Sequence, residues 1–449
     1  MSCRWSLLLL LLASNADAAW KAGVAKVVIT PPQPMWMSGY AGRDKPAQGK
    51  LHDLWAKALV LEDSGGKRCL LITLDLVGIP RDLSVKVCQT IGKQHNLGRE
   101  SLCLACSHTH TGPVVRGNLD TMYGLDEKQT RLINEYRDFL EKRIVEVTGE
   151  AVKALAPAKL AWNNGKATFA VNRRNNKEAD VPKLIEAGQL KGPVDHDVPV
   201  LRVANEKGEL KAVVFGYACH ATVLPFFEWS GDYPGFAMIE LEKRHPGATA
   251  LFFAGCGGDQ NPLPRRKVEL AEKYGKQLAD AVDAVLEKPL HAIDGTLALA
   301  YREVDLPLAE LPTREKLIDD SMSKNKYEAA RAKLLLKELE AKGSLRATYP
   351  YPVQAWRLGD GPTLVTLGGE VVVDYSLLIK KELGAERVWV MGYANDVMAY
   401  IPSLRVLKEG GYEGASSMIY YGLPTVWGTK IEEVIVAAVH EQVKKTSGK

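Results

Sequence analysis

The 449-residue sequence is short of long hydrophobic runs, of excess charge of either sign and of low-complexity segments. The apolar run at residues 7–13 is too short to span a bilayer, and no later segment reaches the about 20 residues that a transmembrane helix needs without charges. The net charge is only +4, and both signs are scattered along the chain, which argues against a nucleic-acid-binding protein. With 46% hydrophobic and 25% charged residues, the composition is that of a globular protein with a large core.

Three motifs that would indicate other chemistry are also missing. No Gly-x-Ser-x-Gly elbow follows a strand-like run, which disfavours a serine hydrolase of the α/β type. The glycine-rich residues 255–262 lack Gly-Lys-Ser/Thr and offer Asp259 where a bound phosphate would need positive charge. Cys103 and Cys106 form a C-x-x-C without the second pair of a zinc knuckle. We therefore expect buried thiols at the cysteines that follow the N-terminal segment: Cys69, Cys88, Cys103, Cys106, Cys219 and Cys256.

The first 18 residues have the pattern of a secretory signal peptide. Arg4 precedes the apolar residues 7–13, and Ala16-Asp17-Ala18 supplies the small-x-small pattern of a cleavage site. We predict cleavage near Ala18 and an exported protein, periplasmic or secreted, with no transmembrane segment in the remaining chain.

Strand-like and helix-like segments alternate through the rest of the chain. The β-branched apolar runs that predict strands are residues 58–61, 69–74, 102–105, 212–217, 250–254, 364–367 and 388–391. Helical periodicity with charged outer faces occurs at residues 135–152, 274–286, 313–342, 374–383 and 430–445. This alternation predicts an α/β fold, a mixed β-sheet flanked by helices. We expect residues 19–449 to form one catalytic domain, with helical insertions near 175–197 and 313–345.

Side chains that can carry chemistry follow several of the predicted strands. His108 and His110, two apart in Ser-His-Thr-His-Thr-Gly-Pro, come directly after residues 102–105. Further candidates follow later strands: His220, Asp259, Glu370, Asn395, Asp396 and Tyr400. Ligands of open α/β sheets collect outside the carboxyl ends of the strands, so these groups could converge on one metal site. Taken singly, a histidine pair is equally typical of structural hydrogen bonding, and Glu370 could merely stabilise a helix N-terminus.

In their order, the motifs resemble the catalytic domain of neutral/alkaline non-lysosomal ceramidases, without that family's C-terminal β-sandwich domain. The segments that carry the resemblance are residues 23–31, 38–40, 52–58, 107–113 and 172–174, His220, Gly258-Asp259, Gly369-Glu370 and residues 412–416. One departure is at Asp259, which is followed by Gln260-Asn261-Pro262 where the family usually has Ser-Pro-Asn. The resemblance implies a hydrolase of an N-acyl amide bond, ceramide-like, acting on a small lipid-like or acylated substrate.

The resemblance also implies a zinc ion and a set of site residues. Its ligands would be His108, His220, Glu370 and Tyr400, with Tyr393 and Tyr412 as alternatives for the tyrosine. The implied catalytic residues are His110, Tyr412 and Arg173, and Asp259 and Asn261 would orient a ligand or contact substrate. Zinc would activate water and polarise the scissile carbonyl. Two alternatives stay open: hydrolysis of a different amide or ester on the same scaffold, or a non-catalytic exported metal-binding protein.

Overall fold

The structure is a computed structural model that describes residues 20–447. The predicted signal peptide lies outside this range. Among the described residues, no helix combines the length and the apolar character that crossing a membrane requires.

The β-strands within residues 20–447 form five sheets, two of which are large. Their bounds are β1 (Trp20–Val28), β2 (Gly49–Lys50), β3 (Trp55–Asp63), β4 (Arg68–Leu74), β5 (Leu102–Cys106), β6 (Ala156–Lys166), β7 (Ala170–Asn172), β8 (Asp197–Asn205), β9 (Leu210–Tyr217), β10 (Glu228–Trp229), β11 (Thr249–Ala254), β12 (Gln260–Pro262), β13 (His291–Ala292), β14 (Leu297–Pro307), β15 (Thr348–Leu358), β16 (Thr363–Leu367), β17 (Glu370–Val371), β18 (Val388–Met391) and β19 (Tyr400–Ile401).

The helices cover the outer faces of these sheets and part of the surface. Their bounds are α1 (Arg81–His95), α2 (Glu127–Lys153), α3 (Val181–Glu186), α4 (Asp232–Arg244), α5 (Val268–Leu286), α6 (Arg314–Ser321), α7 (Lys326–Lys342), α8 (Val373–Leu383), α9 (Leu404–Glu409), α10 (Met418–Tyr421) and α11 (Ile431–Thr446).

The larger sheet is mixed and strongly curled. Its strand order is β11-β9-β8-β6-β1-β3-β4-β5, and β13 adds to β6. The end pairs β11/β9 and β4/β5 are parallel, whereas the strands between them pair antiparallel. The two edge strands, β11 and β5, also contact each other. The curl therefore brings the carboxyl ends of strands from opposite edges to one place.

The two large sheets pack face to face between two layers of helices. The second sheet has the order β14-β15-β16-β18, with β16 and β18 parallel. Because side chains alternate along a strand, one face of β3 and β4 packs on α2 and the other face packs on the second sheet, while α5 packs on β6 and β8. The outer face of the second sheet packs on α8 and α11. The prediction of a mixed α/β fold is thus confirmed, as four layers of helix, sheet, sheet and helix.

The segments predicted as insertions are only partly helical. Residues 175–197 contain a 3₁₀ turn at Glu178–Asp180 and the short α3. The helical pattern predicted over 313–342 is two helices, because Thr313 caps α6 and Asn325 caps α7 with side-chain hydrogen bonds. The organisation as one catalytic domain stays a prediction. The six cysteines within the described range are free and buried, as expected.

Candidate active site

Four segments that follow strands meet where the edges of the curled sheet approach the second sheet. His108 and His110 follow β5, and His220 follows β9. Glu370 follows β16, and Tyr400 lies beyond β18. The structure brings the three histidines together in one buried cluster at the carboxyl ends of strands, and one ring nitrogen from each lies within 4.8 Å of the others.

Backbone carbonyls orient two of the three histidines. The Nδ1 atom of His108 lies 2.6 Å from the carbonyl oxygen of Val77, and that of His220 lies 2.7 Å from the carbonyl oxygen of Gly257. A carbonyl only accepts, so each Nδ1 must donate, which leaves both Nε2 atoms as bare electron-pair donors. His108 also has a φ of +60°, a left-handed conformation that costs energy in a non-glycine residue. The fold thus holds the His108 ring in one tautomer and one direction.

Glu370 and Tyr400 are side by side because β17 and β19 form a short parallel pair in which these two residues are directly opposite. Glu370 Oε2 lies 3.0 Å from Nε2 of both His108 and His220. The hydroxyl of Tyr400 lies 3.1 Å from Nε2 of His220. All these side chains are at most 4% exposed.

This set of atoms fits a metal cation. The Nε2 lone pairs of two imidazoles and one carboxylate oxygen lie at hydrogen-bond distance from one another. A neutral imidazole has only one N–H, and both imidazoles donate theirs through Nδ1 to a backbone carbonyl. No proton is therefore left between the Nε2 atoms and the carboxylate. Burial, followed by the Arg173 charge, lowers the pKa of His220 to about 4. Burial raises the pKa of Glu370, but the influence of His108 and His220 outweighs it and holds this pKa well below its ordinary value. Neutral imidazoles and an ionised carboxylate are the forms that bind a metal.

His110 is the histidine of the cluster that faces the solvent-accessible cleft. Its Nε2 is 3.1 Å from Nε2 of His108, and its buried Nδ1 has no hydrogen-bond partner among the described residues. Its ring packs on Tyr40 with a centroid distance of 4.8 Å. A Cβ at Gly39, where φ is +95°, would lie 2.4 Å from Nδ1 of His110, so glycine is required there. Arg43 donates to the His110 carbonyl at 2.8 Å and fixes the backbone.

Arg173 connects several of the other predicted residues in one wall of the cleft. Its guanidinium donates to Glu413 at 2.7 Å, to Asn261 at 3.2 Å and to the Tyr400 hydroxyl at 3.1 Å. It also lies 5.7 Å from the ring centroid of Tyr412, which is 41% exposed. Arg173, Asn261, Tyr400 and Tyr412 therefore line the cleft together, with His110 across it.

Asp259 lies further from the cluster. Its carboxylate accepts from the Val373 backbone nitrogen at 2.8 Å, at the start of α8, and from the Asn172 side chain at 3.1 Å. The group that holds the Nδ1 proton of His220 is the Gly257 carbonyl, not Asp259. Asp259 therefore supports the loop and not a ligand ring. Burial raises its pKa to about 6.

The three candidate tyrosines occupy different positions. The ring of Tyr393 packs at a tilt on the His108 ring, with a centroid distance of 4.3 Å, and its buried hydroxyl has no partner among the described residues. Tyr412 is the exposed one, with its ring 5.3 Å from that of Tyr400. Only the Tyr400 hydroxyl, among these three, lies within hydrogen-bond distance of a cluster nitrogen in the described structure. This geometry favours Tyr400 as the tyrosine on the metal side.

Sequence reasoning missed Tyr421, in α10, whose hydroxyl donates to Oε1 of Glu370. This bond ties down one carboxylate oxygen, so that Oε2 alone faces the histidines. The only signal in the sequence is the Tyr420-Tyr421 pair before Gly422, which is also typical of ordinary packing residues. Arg43 was missed for a similar reason, because a single arginine near a glycine turn carries no pattern.

The loop that leads to Tyr400 is anchored through Asp396. Its carboxylate accepts from the Tyr349 hydroxyl at 2.7 Å, and its backbone carbonyl accepts from Gly369 at 2.7 Å. Burial raises the pKa of Asp396 to about 7, although the Tyr349 hydrogen bond opposes the shift. The folded state thus binds this proton more tightly than the unfolded state, in which the pKa is about 3.9.

We expect this carboxyl to make the folded protein less stable as the pH rises from about 4 to about 8. A carboxyl group whose pKa is higher in the folded than in the unfolded state stabilises the folded state at low pH. This contribution is lost as the pH rises through the folded-state pKa. Asp396→Asn removes the titration, so wild type should lose about 2–4 kcal/mol relative to the variant across that range. Urea unfolding of both proteins at several pH values measures this difference. Parallel stability curves would contradict it.

Comparison with known proteins identifies relatives that match between about half and nine tenths of the chain. The neutral ceramidase of Pseudomonas aeruginosa is 23% identical over 478 residues, covering 90% of this chain and 69% of that protein. Neutral ceramidase A of Dictyostelium discoideum is 25% identical over 266 residues, covering 56% of this chain and 37% of that protein. The chain therefore spans about two thirds of the first relative and well under half of the second.

Solved structures have the same fold. A crystal structure of the neutral ceramidase from Pseudomonas aeruginosa matches with a TM-score of 0.71 at 20% identity, covering 95% of this chain and 75% of that chain. A structure described as a ceramidase complexed with C2 matches with a TM-score of 0.72 at 18% identity, covering 95% and 76%. These similarities establish the fold over nearly the whole chain.

The sequence pattern described as neutral/alkaline non-lysosomal ceramidase, N-terminal, matches residues 20–259, just over half of the chain. That range includes all three histidines of the buried cluster. On this match, the chain belongs to the neutral/alkaline non-lysosomal ceramidase family.

Proposed function

We propose that the protein is a zinc-dependent hydrolase that cleaves the amide bond of an N-acylated, ceramide-like substrate with an activated water molecule. The observation that carries the proposal is the convergence of imidazole lone pairs and a carboxylate oxygen on one buried point. The family's name supports an amide as the target, since ceramide is an N-acyl amide. We also propose that the protein is exported, on the signal-peptide pattern of its first 18 residues.

The ligand set in this proposal is His108, His220, Glu370 and Tyr400. Nitrogen and oxygen donors in this combination suit zinc, and a bound zinc supplies a water of lowered pKa and a Lewis acid for the carbonyl. We place His110 outside the set because, unlike His220, it has no hydrogen bond to Glu370 or Tyr400 among the described residues.

The chain's own groups then divide the remaining work. His110, with Nε2 toward the cluster, is placed to pass a proton to the departing amine nitrogen. Arg173 and Tyr412, on the opposite wall, are placed to donate hydrogen bonds to the carbonyl oxygen as negative charge develops on it. Tyr421 keeps Glu370 from rotating, and Gly39 leaves room for the His110 ring.

The experiment that tests the proposal measures metal content and amide cleavage in the same preparation. We expect about one zinc per chain, and release of fatty acid from a fluorescent short-chain ceramide that stops on chelation and returns when zinc is added back. Zinc without ceramide cleavage would direct the substrate search to other N-acyl amides and esters. Absence of bound metal after zinc loading would refute the central claim.

A further inference from the structure

The cleft beside the cluster has an unusually polar lining for a lipid-binding site. It has a volume of about 610 Å³, and three arginines contribute to its wall: Arg173, Arg174 and Arg265. Among its described lining residues, Leu263 is the one aliphatic side chain, and it is only 2% exposed. A long acyl chain lying here would displace water from the guanidinium groups without replacing the hydrogen bonds that the water makes. Small-molecule sites that hold apolar ligands are instead lined mainly by apolar side chains.

The positive charge of the cleft is only partly neutralised. Glu413 accepts from both Arg173 and Arg174, and Glu178 accepts from both Arg265 and Arg266. Arg174 also donates to Glu409, so guanidinium groups and carboxylates balance on the Arg173 side, whereas Glu178 alone is shared by two guanidinium groups.

Donors without partners occur on both walls, and the buried Nε of Arg174 is one of them among the described residues. The three nitrogens of the Arg173 guanidinium each donate to a residue of its own wall. On the other wall, Arg265 uses Nε and Nη2 on Glu178, and its Nη1 has no partner among the described residues. The hydroxyl of Thr222, a residue that is 3% exposed, also lacks a partner within the described structure. A buried polar atom left unpaired in this way is costly unless a ligand completes it.

The spare donors of Arg265 and Thr222 are on the His110 side of the cleft. The backbone nitrogen of Arg266 donates to the Val223 carbonyl at 2.7 Å, which ties Arg265 to the segment that contains Thr222. The backbone nitrogen of His110 donates to the Ala221 carbonyl at 3.1 Å in the same segment. The group that receives a proton from His110 would therefore lie next to Thr222 and Arg265.

We propose that the amine half of the substrate carries a carboxylate that binds Arg265 and Thr222, so that the substrate is an N-acyl amino acid. This inference rests on the proposed amide hydrolysis, and it replaces the ceramide-like amine half of the substrate with an amino acid. Water adds its oxygen to the acyl carbon, the C–N bond breaks, and the nitrogen leaves as a protonated amine. The products are a fatty acid carboxylate and a zwitterionic amino acid. A guanidinium with a free donor and a nearby hydroxyl are typical partners of a carboxylate.

A matched pair of substrates tests the inference. N-octanoylglycine and N-octanoylethanolamine have the same acyl chain and the same amide. The glycine conjugate carries a carboxylate where the ethanolamine conjugate carries a hydroxymethyl group. For the zinc-loaded protein we expect kcat/KM to be about 30-fold higher for the glycine conjugate, mainly through KM, as for one charged hydrogen-bonded contact. Arg265→Gln should abolish most of this preference by lowering kcat/KM for the glycine conjugate, and Arg265→Lys should restore part of it.

Arg266 supplies the control, because it pairs with the same Glu178 but does not line the cleft. Arg266→Gln should leave the preference intact. Equal rates on both amides, or a preference that survives Arg265→Gln, would overturn the inference while amide hydrolysis stands.

A binding measurement separates this inference from the proposed function. Calorimetry on the metal-free protein should detect N-octanoylglycine binding that Arg265→Gln weakens about tenfold, by loss of a charged hydrogen bond. If the zinc-loaded protein cleaves neither amide nor ceramide, the proposed function fails, and the calorimetry still decides whether the carboxylate site exists. Binding that Arg265→Gln leaves unchanged would refute that site.

Discussion

His220→Ala should release the metal and abolish hydrolysis. The His220 side chain supplies one lone pair to the cluster and lies within 3.1 Å of both Glu370 and Tyr400. Its loss would leave a buried carboxylate facing one imidazole fewer. Because bound zinc lowers the pKa of water from about 15.7 to about 7, losing it should reduce the rate by at least about 10³-fold. Metal analysis and ceramide cleavage, measured on the same sample, check both effects.

Two further variants keep this prediction independent of folding. His220→Gln retains a polar side chain of similar reach but not the imidazole geometry, and should also lose zinc. His440→Ala removes a surface histidine of α11 that pairs with Glu382, and should retain zinc and activity. Full zinc occupancy in a folded His220→Ala protein would remove His220 from the ligand set. His108→Ala should behave in the same way as His220→Ala.

His110→Ala should keep the zinc and lower the rate of amide hydrolysis about 10²- to 10⁴-fold, the usual contribution of a general acid or base. The Nε2 atom of His110 lies by the cluster while its ring faces the cleft, which is the position of a proton carrier and not of a necessary ligand. If the variant loses its metal instead, His110 belongs to the ligand set.

The leaving group gives a sharper version of this test. An amine must be protonated before it can leave, whereas p-nitrophenolate leaves without a proton. A p-nitrophenyl ester of the same acyl group should therefore be hydrolysed by His110→Ala at nearly the wild-type rate, while the amide suffers the full loss. Equal losses on the two substrates would indicate that His110 positions the substrate and does not transfer the proton.

The sequence predicted the strands that carry the site better than the helices around it. Each run of β-branched and apolar residues from 58–61 to 388–391 lies in an observed strand, because a strand buried on both faces needs apolar residues throughout. The helices α1 and α4 were not predicted from the sequence. Both are partly exposed, and α4 begins at Asp232 within a segment rich in glycine and proline.

The site residues could be listed from the sequence only because several lie directly after strands and because their order resembles a known family. The same information could not assign Asp259, whose carboxylate accepts from the start of α8, nor separate Tyr393 from Tyr400. It gave no reason to choose Tyr421 or Arg265. Neither belongs to a local motif, and each gains its role from a partner far along the chain, such as Glu370, which is 51 residues from Tyr421.

The sequence by itself determined the α/β class, the buried thiols, and the set of histidines, carboxylate and tyrosines from which a metal site could be built, because periodicity and residue type are local properties. The tertiary structure alone decided which atoms of those residues meet. The carbonyls of Val77 and Gly257 that orient His108 and His220 are 31 and 37 residues away from them, and the β17/β19 pair places Glu370 beside Tyr400. Such contacts depend on how the sheet curls and how the two sheets pack, since direction and distance between remote groups follow from the closed fold.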